Sequence, residues 1–367
     1  MIKTKFFCFS LILINALFAE EVIVNAPFNT QEGQDLYITG STKKLCNWRP
    51  NCIKLKSVSP GVYRYKSDGS EVPYKFKITR GSWKTESANE LGHADQNFHV
   101  GIPNELKILS LKNWKDLGAL KRVGAFTVIK DFNSHILANK REIIVRLPLS
   151  YGKDSQKKYP VIYMHDGQNL FDPKTSTFGT DWAVDDVLLK LEKKGEIREA
   201  IVVGIHHLDR RKEFNYFDKG EKYAKFIVEE LKPFIDSFFQ TLKDRENTFI
   251  MGSSYGAMIS FTTAWKHSDV FSKAACLSLT AHSLDEMLFS FIAKFKLPKV
   301  LPDYYIDHGA IGNDSKYPAY VSRFYNHLLN KGYEKNKISY LHFPYADHTE
   351  EDWARRVNIP LKFFLKK

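Results

Sequence analysis

The sequence predicts an α/β protein with a doubly wound, mainly parallel sheet, preceded by a small N-terminal β-sandwich. Two patterns along the 367 residues indicate this order. Residues 20–99 contain short runs of alternating character separated by clusters of Gly, Asn, Pro and Ser, which is typical of a sandwich. From about residue 121, continuously apolar runs alternate with helical patterns, as expected for parallel strands that are buried on both faces.

The first residues, MIKTKFFCFSLILINALFAEE, have the organisation of a secretory signal peptide. Two lysines precede a short apolar run, and Ala19 stands at the cleavage position. The run is too short for a spanning helix with the usual flanks, although an N-terminal membrane anchor is the alternative. We therefore expect residues 1–19 to be removed, the mature chain to lack a transmembrane segment, and the protein to be secreted or periplasmic.

Composition and cysteine use narrow the class of protein. Hydrophobic residues make up 43% of the chain and the net charge is +12, but the lysines form no basic block. A solvated basic surface is the simplest interpretation; an anionic substrate is compatible with it, and no nucleic-acid motif is present. Cys46 and Cys52 flank the turn-rich NWRPN, which indicates either a local disulfide after export or two free thiols. Cys276, in KAACLSL, is expected to be inert packing.

The first domain is expected over residues 20–105, and residues 100–120 are interpreted as a linker or the start of the second domain. Its strands are predicted in DLYITGS, GVYRYKS and PYKFKITRG.

The second domain is expected over residues 120–367. HSLDEMLFSFIAKFKLPKV is interpreted as an insertion over the C-terminal edge of its sheet. Helices are predicted near residues 181–193, 220–242 with a kink at Pro233, and 315–331 with Gly332 as the stop. The predicted strands are REIIVRLPL, YPVIYMHDG, EAIVVGIHH, TFIMG, KAACLSL, PDYYIDHG and ISYLHFPY.

A catalytic serine is predicted at Ser254. The run Gly252–Gly256 fits G-x-S-x-G between a strand and a helix, a turn that exposes the serine hydroxyl. A hydroxyl needs a base, and His348 follows the last predicted strand; the base needs a carboxylate to hold its tautomer. Asp314, in the loop after the preceding strand, is the first candidate for this acid, although it also fits a helix N-cap. Asp307, still in strand register, is the second candidate.

The oxyanion hole requires two backbone N–H groups. One is expected from Tyr255, directly after the serine, and the other from Gly167 or Gln168 in YMHDGQNLFD, which is otherwise a simple Asp-Gly turn. Asp347–His348 and the pair His206–His207 lack metal-ligand spacing, and neither a dinucleotide fingerprint nor a P-loop is present. No metal and no cofactor are therefore expected.

These stretches together resemble the esterase family of α/β hydrolases that includes enterochelin, feruloyl and acetylxylan esterases and esterase D. The matching stretches are YPVIYMHDGQNLFD, AIVVGIHHLDRRKEF, YAKFIVEELKPFID, TFIMGSSYGAMIS and ADHTEEDW. The resemblance implies an α/β-hydrolase fold, with Ser254 as nucleophile and His348 as base. It also implies that Asp166, with Gly167 and Gln168, shapes the oxyanion side, and that two residues of the DRRKEF stretch, Arg211 and Glu213, frame the pocket. One departure is Ala257, where relatives often have a second glycine.

The first domain resembles a starch-binding-type carbohydrate-binding module, through VNAPFNTQEGQDLYITGS, NWRPN, YKFKITRGSWKTES and NFHV. The resemblance implies that Trp48 and Trp83 stack on sugar rings. The alternatives are tryptophans in the sandwich core, or a domain that serves only as a packing partner.

The function that follows is an exported serine carboxylic ester hydrolase that forms an acyl-enzyme. Its substrate is expected to be an acylated carbohydrate or a siderophore ester, with polysaccharide binding by the first domain. The alternative from another class is a non-catalytic glycan-binding protein with an inactive hydrolase-like domain.

Overall fold

The computed structural model forms two compact units, whose main division falls between residues 119 and 120; Pro27 and Thr30 group with the second unit. The predicted signal peptide, residues 1–19, lies outside the described residues. The structure describes residues 20–27, 30, 33–59, 61–89, 92–117 and 125–367.

The first unit is a β-sandwich, as predicted. Its strands are β1 Glu21–Asn25, β2 Tyr37–Gly40, β3 Ile53–Lys54, β4 Lys56–Ser59, β5 Val62–Lys66, β6 Tyr74–Thr79, β7 Ser87–Ala88, β8 Phe98–Val100, β9 Leu106–Ser110 and β10 Asn113–Trp114. One sheet has the order β4-β5-β1-β9, the other β3-β2-β6-β8, and β7 pairs with β10. Alternate side chains such as Phe76 and Ile78 from one sheet and Val22 and Val24 from the other meet in a shared core.

The sandwich extends beyond residue 105. The interpretation of residues 100–120 as a linker or the start of the second domain is wrong for β9 and β10, which belong to the first unit. β9 pairs in parallel with β1, from Glu21 opposite Leu106 to Asn25 opposite Ser110. Trp114, in β10, is 0% exposed and belongs to the sandwich core. The cause is long-range pairing, which completes the sheet on the far side of the first strand.

The second unit contains an eight-stranded mixed sheet. Its strands are β11 Ala125–Ser134, β12 Asn139–Leu147, β13 Val161–His165, β14 Ile201–Ile205, β15 Thr248–Ser253, β16 Lys273–Leu277, β17 Asp303–His308 and β18 Ile338–His342. The order is β11-β12-β14-β13-β15-β16-β17-β18, and β12 runs antiparallel to both of its neighbours while the other pairs are parallel. The sheet is therefore mainly parallel, as predicted; its edge strand β11 was not among the predicted strands.

Helices cover both faces of this sheet, which confirms the doubly wound prediction. The helices are α1 Val184–Lys193, α2 Arg210–Glu213, α3 Glu221–Lys225, α4 Lys232–Phe238, α5 Tyr255–Lys266, α6 Ser283–Lys294, α7 Tyr317–Asn330, α8 Glu350–Arg356 and α9 Asn358–Leu365. Buried side chains of α1, α8 and α9 share one apolar core with one face of the strands, and those of α3 to α7 share the other. The parallel strands end toward the same edge, where the predicted site residues follow them.

Two helix predictions need correction. The segment expected over residues 220–242 is one helical run from Tyr216 to Phe238, in which two π-helical turns alternate with α3 and α4. The second π turn ends just before Pro233, which has no amide hydrogen to donate, so the regular α pattern is interrupted there. The expected insertion HSLDEMLFSFIAKFKLPKV forms α6, whose buried Met287 and Phe291 belong to the face core and not to a cover over the sheet edge.

Candidate active site

Ser254 occupies a strained turn between β15 and α5. Its φ is +57°, a left-handed value that non-glycine residues seldom adopt. A Cβ on Gly252 would lie 2.8 Å from the carbonyl carbon of Gly256, so a side chain at position 252 would collide with backbone. The amide of Ser254 donates to the carbonyl of Leu277 at 3.0 Å, which ties the turn to the end of β16. The sequence motif therefore adopts the geometry that presents a serine hydroxyl at the carboxyl edge of the sheet.

His348 is held by Asp314. The imidazole Nδ1 lies 2.7 Å from Asp314 Oδ1, and the carboxylate, which can only accept, selects the tautomer that carries its proton on Nδ1. The Nε2 atom is then left with a lone pair. Within the part of the chain that the structure describes, no hydrogen bond joins Ser254 Oγ to His348, and catalytic hydrogen bonds are often long before substrate binds.

Asp314 is fully buried, 0% exposed, in the short 3₁₀ turn that follows β17. Burial alone would raise the pKa of this carboxyl. The hydrogen bond from His348, the hydroxyl of Ser278 and the charge of Arg356 outweigh burial and leave the pKa below its ordinary value. Asp314 is therefore an anion at neutral pH.

Asp307, the second candidate for the acid, has a different partner. Arg356 donates to it through Nε at 3.1 Å and through Nη2 at 3.2 Å. It also accepts from the amide of Ser278 and from the hydroxyl of Tyr305, each at 2.8 Å. The structure thus brings Asp314, and not Asp307, to His348.

The predicted oxyanion turn follows β13. Asp166 has a left-handed φ of +56°, and residues 167–169 form one 3₁₀ turn. A Cβ on Gly167 would lie 2.6 Å from the carbonyl carbon of Gly204, so glycine is required by close packing on β14. Gln168 in this turn and Tyr255 in α5 both lie in the first turn of a helical segment, where backbone amides lack intrahelical acceptors. The N–H groups of Tyr255 and of Gly167 or Gln168 stay the predicted oxyanion donors.

Asp166 is paired with both a guanidinium and an imidazole. Arg210 donates to it through Nε at 2.9 Å and Nη2 at 2.7 Å, and His207 Nδ1 lies 2.8 Å from its Oδ1. Burial opposes the charge, but Arg210 and His207 prevail and the pKa of Asp166 falls well below its ordinary value. Arg210 also donates to the carbonyl of Ser253 at 3.3 Å, so it joins the oxyanion turn to the serine turn.

The resemblance implies that Arg211 and Glu213 frame the pocket, and the structure gives each of them a different environment. Arg211 is exposed, because consecutive residues of a helix point about 100° apart and its neighbour Arg210 faces Asp166. Glu213 is buried in a two-bond ion pair with Arg141, at 2.7 and 3.2 Å, and it accepts from the amide of Leu208. Glu213 therefore stabilises the loop after β14. Arg210 was not predicted from the sequence, where its signal was the pair of arginines in DRRKEF.

The first unit carries the two predicted sugar-stacking tryptophans. Cys46 and Cys52 form a disulfide that closes the turn containing the half-buried Trp48. Trp83 is 38% exposed, so it is not a core tryptophan; that place is taken by Trp114. A polar groove of about 490 Å³ lies beside these turns, lined by Gly33, Gln34, Asp35, Tyr37, Asn51, Arg80 and Gly81.

Three further predictions concern the described residues. Cys276 is buried as a free thiol, and burial raises its pKa, which is consistent with packing. Among the residues described, no group of three or more His, Cys, Asp and Glu side chains could hold a metal ion. None of the described helices combines the length and the apolar character that crossing a bilayer requires.

Comparisons with known sequences divide the chain in the same way. Residues 134–356 match the family described as "Putative esterase", and residues 20–85 match the family described as "Starch binding domain". The uncharacterized protein YjcH of Bacillus subtilis is 31% identical over 146 residues, 39% of this chain and 57% of that protein. An endo-1,4-beta-xylanase/feruloyl esterase of Xylanibacter ruminicola is 27% identical over 205 residues, 54% of this chain and 25% of that protein. The chain thus spans about half or less of the length of these curated relatives.

Solved structures show the same fold. A ferulic acid esterase is 23% identical with a TM-score of 0.52, covering 65% of this chain and 98% of that one. The enterobactin esterase of Shigella flexneri, solved in the presence of enterobactin, is 13% identical with a TM-score of 0.54, covering 90% and 87%. At these identities the similarity concerns the fold.

Proposed function

This chain belongs to the esterase family, and from that premise we propose that it is a serine carboxylic ester hydrolase that forms an acyl-enzyme on Ser254. One observation carries the proposal. Ser254 stands in a left-handed strand-to-helix turn, and its amide donates to the carbonyl of Leu277 at the end of β16. The next residue, Ser278, donates to the buried Asp314, which holds the half-buried His348. A serine turn without such a pair would have no base to activate its hydroxyl.

The chemistry follows from these positions. Ser254 Oγ attacks the ester carbonyl carbon while its proton moves to His348 Nε2, and Asp314 stabilises the imidazolium. The amides of Tyr255 and Gln168 donate hydrogen bonds to the carbonyl oxygen as negative charge develops on it. His348 returns the proton to the leaving alcohol, and then takes one from the water that cleaves the acyl-enzyme.

The partners of the buried carboxylates support Asp314 as the acid. Asp166 and Asp307 are each bonded directly by a guanidinium, from Arg210 and Arg356 respectively. Among the described residues, the titratable donor to Asp314 is the imidazole of His348, and the other donors are the neutral Ser278 hydroxyl and Gly309 amide. Its charge is therefore directed at the group that must become cationic during the reaction.

We propose an acylated carbohydrate as the first substrate class. The match of residues 20–85 to starch binding domains, the exposed Trp83 and the polar groove beside it support glycan binding by the first unit. A siderophore ester is the second class, supported by the net charge of +12, which favours anionic chelates. The strained turn at Ser254 and the hydrogen-bonded pair Asp314–His348 favour this proposal over the non-catalytic alternative.

Export to a periplasm or to the medium is part of the proposal. It rests on the first 19 residues of the sequence, and the disulfide between Cys46 and Cys52 is supportive because such bonds persist in oxidising compartments.

The test is hydrolysis of p-nitrophenyl acetate and butyrate by the protein, beside Ser254→Ala and His348→Ala. The proposal expects turnover by the wild type and near-background rates for both variants; equal rates in all three would refute it. Soluble starch then tests the first unit. Trp83→Ala should weaken binding to starch with ester hydrolysis unchanged, and unchanged binding would assign the first unit another role.

A further inference from the structure

The hydroxyl of Ser278 forms hydrogen bonds with three side chains. Ser278 follows β16, has a left-handed φ of +41° and is fully buried. Its Oγ lies 2.7 Å from Asp314 Oδ2, 3.0 Å from Trp353 Nε1 and 2.8 Å from Arg356 Nη2. The sequence predicted Asp314 as the acid and gave no sign that Ser278 and Arg356 would meet it.

The other two partners of the Ser278 hydroxyl determine where its hydrogen is donated. A serine hydroxyl has one hydrogen and two lone pairs, and the indole of Trp353 and the guanidinium of Arg356 can only donate. They take both lone pairs, so the hydrogen of Ser278 must be donated to Asp314. With the Gly309 amide at 3.0 Å, this donor fixes Oδ2, and Oδ1 is left to face His348.

We infer that Ser278 and Arg356 are positioning residues of the proposed catalytic site, which set the orientation and the charge balance of Asp314. This inference rests on the proposed function. Arg356 does not bond Asp314; it reaches it through Ser278 while its charge is balanced by Asp307. Asp314 is therefore held by neutral donors next to an ion pair whose charges cancel.

The histidine loop and this network are parts of one element. Helix α8 begins two residues after His348 and is capped by the hydroxyl of Thr349. Trp353 and Arg356 are three residues apart on it, so they lie on one face, and both reach Ser278. The Trp353 ring also packs edge-on against His348, with centroids 5.0 Å apart. Docking of α8 thus places the base and orients its acid together.

The experiment compares Ser278→Ala, Arg356→Met and the charge-balanced double variant Arg356→Met/Asp307→Asn in the full chain. The matched control is Arg146→Met. Arg146 lies in β12 opposite Val202, near the amino-terminal end of β14, and the substitution breaks its buried two-bond ion pair with Glu192. Each protein is assayed for kcat, KM and the pH profile of kcat/KM on p-nitrophenyl butyrate, and for Tm. The charged or titratable groups around His348 that bear on the profile are Asp314, Asp347, His282 and Tyr317, with Asp307 and Arg356 beyond Ser278.

The inference expects Ser278→Ala to lower kcat about tenfold to hundredfold with KM unchanged, the factor that a hydrogen bond to a charged group contributes. Arg356→Met should move the acid limb of the profile about one unit to higher pH, because uncompensated Asp307 favours the imidazolium. The double variant should return that limb toward wild type. Arg146→Met should lower Tm and leave the limb in place.

Wild-type kcat and an unmoved acid limb in both single variants would overturn the inference, as would a limb that moves equally in Arg146→Met. If Ser278→Ala fails to fold, Arg356→Met and its double variant decide alone. An esterase activity that survives in Ser254→Ala refutes the proposed function first, and the inference falls with it; activity that needs Ser254 but ignores Ser278 and Arg356 refutes the inference only.

Discussion

The two sides of Ser254 each bury a carboxylate, and they pair it differently. On the oxyanion side, Asp166 receives two bonds from the guanidinium of Arg210 and lies 2.8 Å from His207. On the histidine side, Asp314 lies 2.7 Å from His348, and the nearest guanidinium, Arg356, is one hydroxyl away. In both cases the carboxyl pKa is lowered against the effect of burial, so both groups are anions.

The difference shows that the partner, and not burial or charge alone, separates a structural carboxylate from a candidate catalytic one. A guanidinium keeps its charge at every accessible pH, so the carboxylate bonded to it is neutralised before and after any proton transfer. An imidazole gains its charge only when it takes a proton, so its carboxylate stabilises one state over the other. By this rule Asp307, bonded to Arg356, belongs with Asp166.

The largest expected effect comes from Asp314→Asn. An amide at this position no longer selects the Nδ1–H tautomer, so kcat on a p-nitrophenyl ester should fall about 10⁴-fold with the fold retained. Asp307→Asn, in the strand β17 that leads into the Asp314 turn, should cost far less activity. Circular dichroism spectra check that both variants keep the fold. Equal losses of kcat in the two variants would contradict the assignment of Asp314, and not Asp307, as the acid.

Arg210→Met tests the other side. It leaves Asp166 buried without its cation, and the free energy of unfolding should fall by about 3–5 kcal/mol. The loss in kcat should be at most about a hundredfold, since the oxyanion turn shifts but its amides remain. The matched control is Arg211→Met, the exposed neighbour, with an expected change within about 0.5 kcal/mol. Urea unfolding of both variants checks this; an Arg211 variant as destabilised as the Arg210 variant would contradict the assigned helix phase.

The smallest effect concerns Glu350, which joins the two sides. It follows His348 by two residues and accepts from the side chain of Asn169 in the oxyanion turn at 3.3 Å. Burial first, and then the charges of Glu351 and Asp166, raise its pKa to about 7. A pKa raised by folding means that the contribution of Glu350 to stability is complete below the unfolded value and is lost as pH rises through the folded value.

Glu350→Gln should therefore have the same Tm as the wild type at pH 4 and a higher Tm at pH 8. At pH 8 its free energy of unfolding should exceed that of the wild type by up to about 3 kcal/mol. Thermal unfolding across this range measures the difference. A variant that is less stable than the wild type at pH 8 would show that the ionised carboxylate is stabilising, contrary to the raised pKa.

Local patterns in the sequence were sufficient for the parts of the fold and site that depend on local chemistry. Apolar runs with strand length predicted seven strands of the eight-stranded sheet, and the Gly252–Gly256 motif predicted the left-handed serine turn. The exposed edge strand β11 was missed because it has no continuous apolar run. Strand β9 was missed because its pairing with β1 joins residues far apart in the chain.

The parts of the site that depend on three-dimensional convergence could not be read from the sequence. The choice between Arg210 and Arg211 depends on the phase of a helix only four residues long. The Ser278 hub combines a strand end with a helix that follows some seventy residues later, and no short motif records it. The ion pair of Glu213 with Arg141 likewise joins distant segments, so an apparent pocket residue is a loop anchor.

Labelling the protein with a fluorophosphonate and mapping the adduct by mass spectrometry tests whether Ser254 is a nucleophile activated by His348. We expect one adduct per chain, on Ser254, which is absent in Ser254→Ala and forms much more slowly in Asp314→Asn. An adduct on another serine, or labelling at the wild-type rate when Asp314 is replaced, would contradict it.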